Sequence, residues 1–384
     1  MAKAKQKIIL LDLRPLQTAY KNRGIGRFTR EVVKRLIAHP YEYRSLIFKT
    51  LPNPIPSLEP LIQAPLWTRP WIWDQFILPV LLWKNKITLF QNFVALGPLH
   101  EISCPIFFPF RTIAVIYDLH MFHEPTSPIN RFYRKTMRIK IQKWRISKIR
   151  HCLVISQTTA NDVCKQLDYP PKNITEVPLG CEHMDSFATQ LPSGDSLTEC
   201  LKTPSQTSYI LTIGDTDNKN GHFSFQIIKH LKQQLPELNW IICGKKARIM
   251  SQLNLEENEC PWITFVEDIT DKTIAALYTH AELLLFPSLE EGFGLPVIEA
   301  MRMKCPVITG NNEPMKTSLG FDTGLNPFDK SIESLQAWSD ACYKMIMDKE
   351  YRKQQIIHGR HRSDYFSWKR TTETFSDLYK KLET

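Results

Sequence analysis

Apolar residues in this 384-residue chain come in short runs that alternate with stretches of helical spacing. Lys7 to Leu13 (KIILLDL) is such a run. A polar turn through Gly24-Ile25-Gly26 follows, and Arg27 to Ile37 then places Phe28, Val32, Val33 and Leu36 at helical spacing, so the segment predicts strand, glycine loop, helix. The alternation recurs at ITLFQNF (87–93) and TIAVIYDLH (112–120), then in a long helical stretch from Asn130 to Arg150 and a strand at CLVIS (152–156). A second series holds strands at 209–214, 239–244, 262–266, 282–287 and 305–309, with helices near His222 to Gln234, over 271–280 and from Pro296. Strands alternating with helices predict a parallel sheet covered on both faces. From Asp185 to Ser208 the chain reads DSFATQLPSGDSLTECLKTPSQTS, without apolar periodicity, as a linker does. The expected fold is α/β with two Rossmann-like domains facing across a cleft: 1–190, a linker at 191–207, 208–365, and a closing segment at 366–384.

Composition narrows the classes. With 43% hydrophobic and 23% charged residues the chain is neither disordered nor fibrous. The net charge of +10 hides an asymmetry, because residues 1–150 hold 25 basic against 8 acidic side chains and the remainder holds 24 against 31. A basic first half attracts nucleic acid, an anionic membrane or a phosphorylated substrate. No nucleic-acid module is recognisable, so nucleic acid is not expected as a partner. The segment 131–150 carries nine basic residues and no acid, interleaved with Phe132, Met137, Ile139, Trp144, Ile146 and Ile149. It reads either as a domain helix with solvated charges or as a contact with an anionic membrane, to which the cluster Trp67, Trp71, Trp73, Phe76 and Trp83 would add. Nine scattered cysteines without a C-x-x-C pair point to reduced thiols, and the apolar run Ile8–Leu11 is too short for a signal peptide. A cytoplasmic protein, peripheral on the inner membrane face, is expected, with the sequon Asn173-Ile174-Thr175 unglycosylated.

The candidate chemistry lies after the run ELLLFP. Ser288 to Glu291 lead into Gly292-Phe293-Gly294-Leu295, with Pro296 at a first helical position. The N–H groups of 292–295 would point outward, and a helix N-terminus with glycines at its approach binds phosphate. Glu299, placed in the first helical turn, would accept hydrogen bonds from a ribose, and Glu291 would face a sugar beyond the phosphate. Taken alone, E-G-x-G is more often a turn whose acids stabilise a helix start. Gly24 and Gly26 follow the first strand as a dinucleotide-type loop does, but without a third glycine. Lys219, after the strand glycine Gly214, offers a cation to a diphosphate, as does Lys245, for which a solvated loop lysine is an equal alternative. Asp215-Thr216-Asp217 imitates a metal-binding D-x-D, yet turn-forming Asx chemistry explains it, and no metal or other cofactor is expected.

These residues resemble bacterial members of family 4 of the retaining glycosyltransferases, which adopt the two-domain GT-B fold. The likeness runs from DLRPL…GIGRFTREV through VIYDL, LVISQTTANDV, EVPLGCEHM and FPSLEEGFGLPVIEAM to YFSWKRTTETFSDLY. It implies donor-sugar contact for Glu291, ribose contact for Glu299, phosphate binding for Lys219, an acceptor-binding first domain and a final helix that crosses back to it. Where many relatives have His-Asp this chain has Tyr117-Asp118, so Tyr117 or Asp118 would make the sugar contact, and Asp118 joins Glu291 and Lys219 as a catalytic candidate. A common arginine is replaced by Asp215, a common glycine by Lys304, and a usual glutamate near 315–319 is absent. The implied function is transfer of a mannose- or glucose-like hexose from a UDP- or GDP-sugar to a saccharide or lipid-linked saccharide, in cell-surface polysaccharide or lipopolysaccharide synthesis. The alternative is a catalytically silent GT-B protein that binds a nucleotide sugar or a partner subunit.

Overall fold

A computed structural model describes residues 7–22, 24–66, 72–94, 112–119, 140–188, 208–256 and 259–383. They form two compact units, Met1–Leu179 with Trp368–Thr384, and Gly180–Ser367.

Unit 1 is built on a seven-stranded parallel sheet in the order β3-β2-β1-β4-β5-β6-β7. Its elements are β1 (Ile8–Asp12), α1 (Gly24–Leu36), β2 (Glu42–Phe48), β3 (Pro60–Ala64), α2 (Leu78–Lys84), β4 (Leu89–Asn92), β5 (Thr112–Ile116), β6 (His151–Val154), α3 (Gln157–Leu167) and β7 (Ile174–Glu176). β4, β5 and β6 are buried at every position, as strands covered on both faces must be. Three strands have no counterpart in the apolar pattern. β2 begins with Glu42 and Arg44 among its apolar residues, β3 opens on Pro60, and β7 has only three residues. Proline is tolerated in β3 because it is an edge strand.

The expected loop at Gly24-Ile25-Gly26 is instead the first turn of α1. The glycine is needed for a different reason: a Cβ on Gly26 would lie 2.6 Å from the Lys21 carbonyl oxygen, so the preceding turn packs directly on the helix start. A π-helical turn, Trp73–Ile77, precedes α2, with the Leu78 N–H reaching the Trp73 carbonyl. Pro79 lacks the N–H that would hold an ordinary turn there, and the wide turn results.

That turn delivers Asp74 to a fully buried guanidinium. Arg14 donates through Nε to Asp12 Oδ1 at 2.9 Å and through its terminal nitrogens to Asp12 and Asp74, and its plane lies over Phe48 and Trp73. Asn92 donates to Asp12 Oδ2 at 3.3 Å. Burial disfavours the cation, but the two carboxylates outweigh it and hold the guanidinium more firmly protonated than usual.

Unit 2 has a five-stranded parallel sheet in the order β10-β9-β8-β11-β12. It contains β8 (Tyr209–Ile213), α4 (Gly221–Leu231), β9 (Asn239–Cys243), α5 (Lys246–Leu253), β10 (Ile263–Val266), α6 (Asp271–His280), β11 (Leu283–Phe286), α7 (Leu295–Arg302), β12 (Val307–Thr309), α8 (Glu313–Leu319), α9 (Ile332–Met347) and α10 (Lys349–Ser363). The chain changes unit at Leu179/Gly180, ahead of the expected linker, because Cys181–Ala188 is fastened to unit 2 by contacts of Asp185 with Arg302. The linker span 191–207, residues 131–139 of the basic segment, Trp67 and Trp71 lie outside the described residues; 140–146 is helical.

The last helix, α11 (Trp368–Glu383), belongs to unit 1. Phe375 lies against Phe28 and Phe93, and the Tyr379 hydroxyl donates to Gln91 Oε1 at 3.1 Å. No helix among the described residues is long and apolar enough to cross a membrane. Replacing Arg14 by Met would leave two buried carboxylates without their cation, and a loss of about 3–5 kcal/mol is expected, read as an earlier midpoint in urea unfolding.

Candidate functional site

In unit 2 the strand order reverses between β8 and β11, so the loops leaving their carboxyl ends diverge around a crevice, the position where such sheets bind ligands. The loop after β8 starts at Gly214, whose φ of +107° suits glycine. A Cβ there would lie 2.7 Å from Lys219 Cγ, so the lysine stem runs across the bare backbone. The Lys219 ammonium sits 4.8 Å from the centre of the Phe286 ring and forms an ion pair with Glu291 Oε1. Ser288 Oγ donates to the same oxygen at 2.8 Å.

The two loops are stitched together by backbone and amide bonds. Leu289 N–H donates to the Asn218 carbonyl at 2.8 Å, Asn218 Nδ2 to the Glu290 carbonyl at 3.0 Å, and Asn220 Nδ2 to the Pro287 carbonyl at 3.0 Å. Lys219 and Glu291, which the sequence placed on different parts of a ligand, are therefore partners of each other here. Their side chains are 21% and 12% exposed, enough burial for each charge to need the other.

The segment 292–295 behaves differently from its sequence reading in one respect. Phe293 is buried and packs edge-on against Phe366, with centroids 5.5 Å apart, so only its backbone faces the loop's outer side. Gly294 caps α7 with φ +98°, and a Cβ would overlap the Met315 methyl group. No side chain caps this helix; Pro296 carries no N–H, and the Val297 N–H bonds to the Gly294 carbonyl at 3.0 Å. Gly292 and Leu295 are half-buried.

Glu299 stands in the second turn of α7, not the first, because the helix begins at Leu295. It is buried, with Oε1 3.1 Å from His183 Nε2 and Oε2 accepting from the Tyr278 hydroxyl at 3.3 Å. His183 had no role in the sequence reading, although it lies within EVPLGCEHM; a partner 116 residues away leaves no local signal.

The carboxylates of the D-x-D string are engaged by the protein. Lys245 N–H donates to Asp215 Oδ2 at 3.1 Å and Gln252 Nε2 to Asp217 Oδ1 at 2.6 Å. The Lys245 side chain is exposed at the start of α5. Among the described residues no group of three or more His, Cys, Asp or Glu could hold a metal ion.

Of the unit 1 candidates, Gly24 is exposed at the start of α1 and Asp118 is exposed just beyond β5. Tyr117 is half-buried: its ring meets Phe28 edge-on at 5.5 Å, and its hydroxyl is buried beside Thr29. Burial holds that phenol well above its ordinary pKa.

Residues 199–362 match the family described as glycosyl transferases group 1. The chain is 22% identical over 286 residues to O-antigen chain mannosyltransferase B of Escherichia coli, 71% of each chain. Among solved structures, WaaG, a glycosyltransferase involved in lipopolysaccharide biosynthesis, aligns with a TM-score of 0.71 at 14% identity over 96% of this chain and 99% of its own. HepE of Anabaena, solved in complex with UDP and glucose, aligns with a TM-score of 0.66 at 13% identity over 98% of this chain and 100% of its own. The two parallel-sheet units are those of the GT-B fold.

At the end of α7, Lys304 N–H bonds to the Met301 carbonyl and Cys305 N–H to that of Ala300, a helix stop that favours glycine at position 304. Lys304 adopts φ +62° there. Lys304→Gly is expected to stabilise the protein by about 1 kcal/mol, seen as a higher melting temperature, since the left-handed conformation penalises a side chain.

Proposed function

We propose, for a chain whose residues 199–362 match the family described as glycosyl transferases group 1, a retaining hexosyltransferase that takes its sugar from a UDP- or GDP-hexose. The observation that carries this reading is the arrangement at the β8/β11 crevice. A lysine, a carboxylate and an uncapped helix start meet where a sheet of this topology presents its ligand site. Similarity to an O-antigen mannosyltransferase supports a mannosyl or glucosyl donor and a saccharide or lipid-linked acceptor in surface polysaccharide synthesis.

Residue by residue, the N–H groups at 292–295 and the Lys219 ammonium take the diphosphate, Glu299 the ribose hydroxyls and Glu291 the hexose. A bound diphosphate competes with Glu291 for Lys219, which frees the carboxylate to accept from sugar hydroxyls. In the transfer, the bond from the anomeric carbon to the phosphate oxygen breaks as the acceptor oxygen bonds to the same face. The acceptor proton passes to the departing phosphate oxygen, and Lys219 with the helix N–H groups stabilises the charge left there. No side chain serves as nucleophile and no metal is invoked, since the Asp215 and Asp217 carboxylates already have protein donors. Asp118 is assigned to the acceptor side.

The contact with an anionic membrane is assigned to unit 1. Phe76, Val80 and Trp83 recur at helical spacing and are 58%, 49% and 71% exposed. Lys84 and Lys86 are exposed beside them, and Asp74, the only acid from 72 to 86, is buried against Arg14. Right-handed crossovers put α2 on the same sheet face as the helix at 140–146, where Trp144 and Lys140 are exposed. Trp83→Glu is expected to reduce sedimentation with vesicles rich in phosphatidylglycerol; equal sedimentation with uncharged phosphatidylcholine vesicles would count against an electrostatic contact.

With UDP- and GDP-hexoses and a saccharide acceptor, Lys219→Met and Glu291→Ala are each expected to lower kcat/KM by about 100-fold or more. Turnover equal to that of the unaltered protein would remove both residues from the mechanism. Nucleotide binding without sugar consumption by the unaltered protein would favour a catalytically silent binding protein.

A further inference from the structure

Glu299 is a carboxylate held inside unit 2 by residues from two other parts of the chain. His183 Nε2 lies 3.1 Å from Oε1 and the Tyr278 hydroxyl 3.3 Å from Oε2, with the His183 and Glu299 side chains only 7% and 4% exposed. An ionised carboxylate only accepts hydrogen bonds, so the contact places a proton on Nε2.

The histidine does not stand alone. On α7, Glu299 and Arg302 are three residues apart and so share a face. Arg302 Nε donates to Asp185 Oδ1 at 2.7 Å, two residues beyond His183. The helix thus grips the segment at two neighbouring points. The hydrogen bond and charge of Arg302 hold the Asp185 carboxyl below the usual carboxylate range, against the opposing effect of its partial burial. On the other side of the segment, Ser367 Oγ donates to Glu182 Oε1 at 2.9 Å, and Cys181 N–H to the Phe366 carbonyl at 3.4 Å. His183 therefore approaches Glu299 from a backbone fixed on both sides. A glutamate side chain has three rotatable bonds, and a pair of ribose hydroxyls needs its oxygens in one plane and at one height.

We propose that His183 is a positioning residue, whose Nε2–H fixes the Glu299 carboxylate in the orientation that accepts the ribose hydroxyls of the donor nucleotide. This rests on Glu299 being the ribose-binding acid, and the test separates the two claims. Calorimetry compares UDP and GDP with their 2′,3′-dideoxy counterparts, using the unaltered protein and His183→Gln, His183→Asn, His183→Leu and Glu299→Gln. The unaltered protein is expected to prefer the ribonucleotide by roughly 10-fold to 100-fold, the range for hydrogen bonds to a charged group. His183→Leu and His183→Asn lose most of that preference while dideoxynucleotide affinity stays constant. His183→Gln, whose amide nitrogen reaches the place of Nε2, keeps it. In turnover, the first two raise the donor KM and leave kcat within about 3-fold.

If His183→Leu and His183→Asn keep the preference while Glu299→Gln abolishes it, His183 is not a positioning residue. A parallel fall in dideoxynucleotide affinity overturns the proposal as well, because the change is then structural; His183→Asn supplies the answer should the leucine variant not fold. Preference unchanged in Glu299→Gln would instead remove the ribose-binding reading itself.

Discussion

Pairing of β8 with β11 sets the geometry of unit 2. Leu283 and Leu284 lie opposite Ile210 and Leu211, so two strands far apart in sequence end side by side. The chain leaves one of them toward β9 and the other toward β12, and their connections cannot fill the space between the strand ends. What closes around that space is backbone. Asn218, Asn220 and the Leu289 N–H tie the two loops to each other through carbonyl groups, so a flexible lysine and a flexible glutamate emerge from fixed points. Without the stitching, two long side chains on separate loops would hold no single geometry.

Unit 1 has the same kind of sheet and uses its reversal point differently. β1 and β4 are neighbours there, and their last residues, Asp12 and Asn92, are joined by a hydrogen bond. The space is occupied by the protein's own Arg14, with Asp74 closing the far side. One guanidinium held by two acids, under two aromatic rings, is a filled site. In unit 2 the cation has one acid and remains partly exposed. The same topology thus yields a structural plug in one half and an ion pair open to exchange in the other.

The runs at 209–214, 239–244 and 282–287 predicted β8, β9 and β11 within a residue or two, since strands buried on both faces have nothing to hide their apolar character. Edge strands carry charge or proline because one side meets solvent, and β3 and β7 went unread for that reason; β2 lies inside the sheet, but Glu42 and Arg44 interrupt its apolar run. At the site, Lys219, Gly214, Gly294 and the two glutamates were legible from glycine placement and from resemblance to a family. Their pairing was not, because an ion pair across 72 residues and a histidine contact across 116 depend on how loops from different strands meet. The packing of the Tyr117 ring on Phe28 was equally silent, because sequence position at a strand end says nothing of which way a side chain turns. Gly24 and Gly26 were read as a loop because glycines punctuate elements; at Gly26 the bare backbone instead lets the preceding turn pack on a helix start, while a Cβ on Gly24 would meet nothing within 4 Å.

Unit 1 is written in two pieces, with unit 2 inserted between them and α11 coming last. Phe375 and Tyr379 pack against Phe28, Gln91 and Phe93, which belong to the first hundred residues. During synthesis the ribosome therefore releases the second unit's whole sequence before the first can finish. The early half must wait with an uncovered aromatic face while the later half can already close, reversing the usual order in which a nascent polypeptide matures.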